Sequence, residues 1–418
     1  MLVAAPKRHI NVTQRQQLTV LTVGMALFND VLLLLMLVPM LPSLLTQGSE
    51  VGELRLALLF TVKDIFQMGC APLAGAATLK MGARSSLGCS LFALAASTIA
   101  FAESRSYSQL IAARALQGAT SAALMSGGMT LIAQTHEHER RDEAIAQAHS
   151  GLGLGAALGP VLGGLLFDSV GRRATFYVAA VLVTAAAVAH CCLTAFAPAP
   201  IISPPPDDAP PTAQLLALIK TRDIFIVSLG IFAAFAAGGL FDTVFGLHVS
   251  EAFNFGPARA SLFFSIEPIC YFIAMRALSR FANHGDNGAR SRARRRVSKP
   301  ALVALGLALI ALSLPLLPLA NRQSAVVVAL IVHGIGYACK DVVGYGLLAD
   351  LVDHHRVGSY AMIFSLADCA DSAGYIFGPI AGFALCRLVR SRSVGLLLAG
   401  IACATIAPLI LTTTTAEQ

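Results

Sequence analysis

Ionisable side chains recur in this chain where it is otherwise apolar, and they set the chemistry open to it. Asp30, Lys63, Asp64, Arg114, Asp242, Glu267, Lys340, Asp341, Asp368 and Asp371 all fall within long hydrophobic runs. Seven of them are acidic and three basic, so carboxylates outnumber the cations that could neutralise them. An ionisable group in hydrocarbon is costly and normally faces a partner or an aqueous cavity. Surplus carboxylates there can hold protons, because loss of water favours the neutral acid. They can also attract a cationic solute. The same groups could instead pair with one another and hold helices together. Asp341 sits among Val, Gly and Ala residues, which suits a proton carrier. Lys340 is its neighbour in sequence but about 100° away around a helix, so it need not neutralise Asp341. Tyr271 and Tyr375 lie in similar runs and offer faces for cation–π contact.

The elements that must position these groups follow from composition. The chain is 56% hydrophobic and 13% charged, about half the charge of a soluble domain. Twelve apolar runs are each long enough to cross a bilayer. They cover roughly 18–46, 56–79, 85–104, 107–134, 144–167, 174–197, 224–248, 259–281, 300–320, 324–349, 359–385 and 393–412. The expectation is an all-α membrane protein. No nucleotide-binding loop and no nucleophile–base spacing point to an enzyme. The nine cysteines show no metal-type spacing and no disulfide framework, and no cofactor is implied. His136 and His138, in the charged loop after the fourth run, read as exposed loop residues rather than metal ligands.

Lys and Arg set the orientation. With the N-terminus inside, the inner segments hold 17 of them and the outer ones 9, which favours cytoplasmic termini. The net charge of +7 is concentrated in Arg290–Lys299, which reads as an anchor beside anionic lipid, with no nucleic acid required.

The fifth run carries Gly151, Gly153, Gly155, Gly159, Gly163 and Gly164, with Pro160 among them. Interior glycines weaken a helix in water. In a bilayer an unpaired peptide group costs more, so the segment stays helical and uses its glycines for close approach. Gly155, Gly159 and Gly163 recur at four-residue spacing, and Pro160 permits a bend. This is either a tightly packed helix or a gating element.

Residues 198–223 interrupt the pattern with a Pro-rich polar stretch. They read as a cytoplasmic linker between an N-terminal six-helix half, 1–197, and a C-terminal one, 224–418. Gly159-Pro160 in the fifth run is echoed by Gly378-Pro379 in the fifth run of the second half, which suggests duplication and a binding site between the halves.

Twelve spans, a central linker and the Gly-Pro-x-x-Gly-Gly motif at Gly159 resemble the major facilitator superfamily. Further motifs are similar to its vesicular amine (monoamine, acetylcholine, polyamine) transporters. Asp30 precedes a Pro39-x-x-Pro42 ending, Lys63 lies in Leu59-FTVKDIFQ, and Arg114 opens Arg-Ala-Leu-Gln-Gly. Asp341, Asp368 and Tyr375 keep the family's spacing, and Asp242 and Tyr271 fit acidic and aromatic positions of spans 7 and 8. Asn29 precedes Asp30, the reverse of the family order, and Leu79 stands where the superfamily's loop motif has an acid.

The resemblance implies a major-facilitator fold of twelve transmembrane helices in two six-helix halves, acting as a monomer. It implies a proton-coupled antiporter for an organic, cationic solute in the plasma membrane or a vesicle or vacuole membrane. Asn29, Asp30, Asp242, Tyr271 and Tyr375 would bind solute, with Asp30 and Asp242 bracketing an ammonium group. Lys63, Arg114, Asp341 and Asp368 would carry proton coupling, with Lys63 and Asp368 facing each other across the halves. Gly155, Gly159, Pro160 and Gly163 would gate. A drug or metabolite efflux pump of the same fold, and a non-transporting sensor, remain as alternatives.

Overall fold

The computed structural model describes residues 11–37, 50–196, 198–201, 209–254, 262–282, 298–389 and 392–413. Pro39, Pro42, the Pro-rich 202–208 and the arginines at 290–296 lie outside them. The N-terminal helices are α1 (Val12–Met36), α2 (Glu50–Met81), α3 (Ala83–Glu103) and α4 (Tyr107–Thr135). The segment His138–Phe196 is 59 residues long, about 88 Å if it were one straight helix and far more than a bilayer needs. It is divided at Gly171, whose φ of 76° suits a residue without a side chain, into α5 (138–170) and α6 (172–196). Then come α7 (Pro211–Lys220), α8 (Arg222–Phe253), α9 (Ile266–Ala282), α10 (Lys299–Leu316), α11 (Gln323–His355), α12 (Tyr360–Val389) and α13 (Arg392–Ile410).

Apart from α7, twelve helices among the described residues run through the bundle. This is the major-facilitator fold. Among the described residues, seven segments are by themselves long and apolar enough to cross a membrane. Others, such as α2 and α12, carry the charges and small residues that face the bundle interior. Pro72, Pro160 and Pro379 all sit inside helices that continue past them. A helix in hydrocarbon has no water to take up a freed peptide group, so it persists through proline.

The stretch read as a linker is not wholly irregular. Helix α7 lies within it and buries Gln214 and Leu218. The Ser359 hydroxyl donates to Gln214 Oε1 at 2.7 Å, which docks α7 against the turn before α12. His136 is also corrected. It is buried at the end of α4, with Nδ1 3.0 Å from the Ile132 carbonyl, because the turn folds it back onto its own helix. His138 stays half-exposed beside Asp350 at 3.1 Å.

Helices α1–α6 pack on one another, as do α8–α13. The two sets meet along α2–α12, α4–α12, α5–α9 and α5–α11. The glycine stripe lies within the first set. A Cβ on Gly155 would stand 2.6 Å from the Phe28 carbonyl, one on Gly159 2.8 Å from Leu35 Cβ, and one on Gly163 2.7 Å from Met36 Cα. The stripe therefore seats α5 on α1. In the second set a Cβ on Gly374 would come 2.6 Å from the Phe232 carbonyl, and one on Gly378 3.0 Å from Ala236 Cα, so α12 seats on α8 in the same way. Gly153, on another face of α5, meets the second half, with Tyr271 Cδ1 2.6 Å and the Pro268 carbonyl 3.1 Å from a built Cβ.

This placement changes what a substitution in the stripe should do. Gly155→Leu and Gly159→Leu are expected to separate α1 from α5 and lose most of the monodisperse protein on size-exclusion chromatography. Gly69→Leu on α2, where a Cβ meets nothing within 4 Å, should purify like the parent. Equal yields from all three would show that the α1–α5 contact is not a structural seam.

Candidate functional site

The charges of the sequence gather into three groups at the junction of the halves. The first is built on α1, α2 and α4. Asp30 is 8% exposed, and its carboxylate lies 3.4 Å from Lys63 Nζ. The Ser121 hydroxyl donates to Asp30 Oδ1 at 2.5 Å. Lys63 also donates to Gln67 Oε1 at 2.9 Å, one turn along the same face of α2. Gln67 Nε2 then donates to Asp368 Oδ1 on α12 at 2.7 Å. A continuous chain, Asp30–Lys63–Gln67–Asp368, thus crosses from one half to the other. Arg114 stands beside it, fully buried, donating to Gln117 Oε1 at 2.6 Å and the Leu59 carbonyl at 3.4 Å. Its second terminal nitrogen has no hydrogen-bond partner.

Two expectations are corrected here. Lys63 does not meet Asp368 directly, because the neutral Gln67 amide fills the space between them. Asp30, read as a solute contact, is already taken up by an ion pair. A carboxylate buried this deeply needs a cation, and Lys63 supplies it. Asn29 is buried too, its amide donating to the Met25 carbonyl of its own helix at 2.8 Å.

The second group lies on α8, α9, α11 and α12. The Tyr271 hydroxyl donates to Asp341 Oδ2 at 3.2 Å. Lys340 Nζ lies 2.6 Å from Asp341 Oδ1, contrary to the expectation that the two diverge. The α-carbons do diverge around the helix, but the flexible lysine stem curls back. Lys340 Nζ also stands 4.1 Å from the Phe235 ring centroid and 5.2 Å from that of Tyr337. The Tyr345 hydroxyl donates to Asp371 Oδ2 at 3.3 Å. Tyr375 packs on Phe235 with centroids 5.1 Å apart and is 40% exposed. Asp242 is exposed as well, within electrostatic reach of half-buried Glu267. Asp242 and Tyr375 thus lie at an uncovered face of the bundle, while Asp341 is buried.

The third group closes one end of the junction. Arg141 at the start of α5 donates to Asp353 Oδ2 at 2.8 Å and to the Tyr360 hydroxyl at 2.9 Å, with its guanidinium 5.0 Å from the Tyr360 ring centroid. Lys299 bridges Asp142 at 2.7 Å and also pairs with Asp350. Ser126 donates to the Ala361 carbonyl at 3.2 Å just inside. Sequence reading counted Arg141 and Lys299 only as topology charges. The available signal was Asp350-x-x-Asp353, two acids on one helical face at the end of an apolar run. Gln67, Ser121 and Phe235 were missed because nothing distinguishes them from ordinary helix residues until their neighbours are known.

Comparison with known proteins agrees with this architecture. The family model described as the Major Facilitator Superfamily matches residues 20–298 and 227–418. The synaptic vesicular amine transporter of Bos taurus is 26% identical over 350 residues, 83% of this chain and 63% of that protein. The vesicular acetylcholine transporter of Homo sapiens is 29% identical over 337 residues, 79% of this chain and 60% of that protein. The matched stretch thus spans less than two thirds of the length of these relatives. The crystal structure of the human organic anion transporter MFSD10 (TETRAN) superposes with a TM-score of 0.72 over 95% of this chain and 98% of that one, at 18% identity, which speaks to the fold.

The first group makes a quantitative expectation. Lys63→Ala strands Asp30 and should cost about 3–5 kcal/mol of stability. Adding Asp30→Asn should recover much of that loss, and adding Asp368→Asn should recover less, because Asp368 reaches Lys63 only through Gln67. Thermal unfolding of the detergent-solubilised variants reads the ranking, and a larger rescue by Asp368→Asn would overturn it.

Proposed function

The chain belongs to the Major Facilitator Superfamily, and from that premise we propose that it is a proton-coupled antiporter for an organic, cationic, amine-like solute, working by alternating access. The observation that carries the reading is the Asp30–Lys63–Gln67–Asp368 chain. It is a contact between halves whose strength depends on a proton. Asp368 accepts from Gln67 through one oxygen, while its other oxygen has no hydrogen-bond partner. A carboxylate accepts a stronger hydrogen bond than a neutral acid does. Protonation of Asp368 therefore loosens the junction and deprotonation tightens it, which ties the proton to the movement of one half against the other.

Proton exchange is assigned to Asp368 and Asp341. Solute charge is assigned to Asp242, which borders the accessible face with Tyr375. Tyr271 acts by holding Asp341. Asn29 and Asp30 serve the charge chain, with Arg114 keeping the surrounding potential positive. The glycine stripe with Pro160 makes α1 and α5 move as one body. Lys and Arg counts favour cytoplasmic termini, and with them a cytoplasmic Arg141–Asp353 end. The chain then divides into two six-helix halves joined by 198–223, and this conformation is closed toward the cytoplasm. The vesicular relatives favour a vesicle or vacuole membrane, and the protein acts as a monomer surrounded by lipid.

Proteoliposome uptake of radiolabelled tetraethylammonium tests the proposal, because its fixed charge prevents passive entry as a free base. An acidic lumen should drive accumulation that empty liposomes do not show. Asp242→Asn should weaken the apparent affinity about tenfold at every pH, the loss of one charge contact. Uptake indifferent to the pH gradient would sink antiport. No movement of this or other organic cations by folded protein would favour the non-transporting reading.

A further inference from the structure

Lys340 is an unusual cation. It is 1% exposed within the membrane-spanning part of α11. Its ammonium is enclosed by the Asp341 carboxylate at 2.6 Å, the Phe235 ring at 4.1 Å and the Tyr337 ring at 5.2 Å. One carboxylate with two aromatic faces is the enclosure that proteins use to hold a ligand's ammonium group. Here the chain's own side chain fills it. The fit is incomplete, since Lys340 Nζ and Asp341 Oδ1 are close in charge terms but misaligned, and neither has a hydrogen-bond partner. A permanent structural counter-ion would be expected to satisfy more of its three donors. The enclosure also connects to the accessible face, because Phe235 is the ring on which exposed Tyr375 packs.

We propose that Lys340 is a built-in occupant of the cation site, and that it releases its proton when a solute cation takes its place beside Asp341. The proposal rests on the cationic-solute reading above and deepens it: Asp341 serves proton exchange through its partner Lys340 and stays a carboxylate itself, and the solute cation met first by Asp242 ends beside Asp341. The step balances. A protonated Lys340 and a solute cation from water become a neutral Lys340 amine, a bound solute cation and one proton in the water of the accessible face. Total charge is unchanged, and the Asp341 carboxylate has one cationic partner at every stage. Two cations in the enclosure would repel each other at close range, so occupancy is exclusive and one proton leaves for each cation that binds. Lysine suits this role, because its ammonium can lose a proton in a buried site whereas arginine's guanidinium does not.

The groups facing Lys340 are few. Its own helix contributes Asp341 and Tyr337, and α8 contributes the uncharged Phe235. Asp371 on α12 and His149 on α5 lie within electrostatic reach. Tyr271 of α9 acts through Asp341, and α13 brings Cys403 near. Helix α10 packs through Gly306, where a Cβ would stand 2.6 Å from the Lys340 amide nitrogen. His149 is the competing proton source. It is fully buried, neither ring nitrogen has a hydrogen-bond partner, and its ring meets that of Tyr345 edge-on at 4.4 Å.

Calorimetric titration of the full-length protein in lipid nanodiscs with tetraethylammonium, at pH 6, 7 and 8 in two buffers of different ionisation enthalpy, decides the matter. The parent should release one proton per cation bound, with affinity rising about tenfold per pH unit. Lys340→Met should release none, bind independently of pH and bind at least about tenfold tighter at pH 6. Lys340→Arg should not bind. His149→Phe should still release the proton. Lys340→Gln repeats the test of the methionine variant should that one fail to purify as a monodisperse species. Retention of the parental pH dependence by the methionine or glutamine variant overturns the proposal, as does parental binding by Lys340→Arg. Binding by the parent without proton release overturns it while leaving the cationic-solute reading intact. Absence of binding by parent and Lys340→Met alike overturns both.

Discussion

A charge inside a membrane protein must be met by another charge, by a hydrogen-bonding neighbour or by water, and most of this structure follows from that constraint. Asp30 is met by Lys63 and Ser121, and Asp341 by Lys340 and Tyr271. Arg141 is met by two acids and a tyrosine. Each arrangement draws its partners from different helices, so satisfying the charges also fixes which helices adjoin. Asp242, which has no such partner among the contacts described, is the most exposed of these carboxylates.

Two kinds of contact hold the bundle, and they differ in reversibility. Within each half, helices seat on glycine at close range, α5 on α1 and α12 on α8. Such seams have no polar groups to rehydrate and no alternative register that keeps the backbones this close, so they behave as rigid joints. Between the halves the junction adds polar contacts, from Gln67–Asp368 to Arg141–Asp353, to the glycine contact of Gly153 with α9. Hydrogen bonds and ion pairs can be exchanged for water at small net change in free energy.

Lys340 sharpens a general point about buried ion pairs. A pair that only stabilised the fold could be replaced by apolar residues at little loss. Lys340 lies between a carboxylate and two aromatic rings one packing layer behind exposed Tyr375. Its position links the exposed Tyr375 surface to the charged interior.

Much of this was legible in the chain itself. Apolar run length set the crossings and marked His138–Phe196 as two of them, and the buried charges stood out against their surroundings. The glycine spacing on α5 announced a close helix contact. Which helix answers it was not legible: the stripe meets α1 of the same half. The partners of Lys63 and Lys340 were not legible either. Gln67 and Asp368 are 301 residues apart in sequence, and their meeting depends on the depth and rotation of two helices from opposite halves. Lys340 and Asp341 diverge by helical periodicity yet meet through a long flexible stem. Periodicity determines which residues share one face of one helix. Packing alone decides what that face meets, because the register between helices is set by the sum of all their contacts and not by any local pattern.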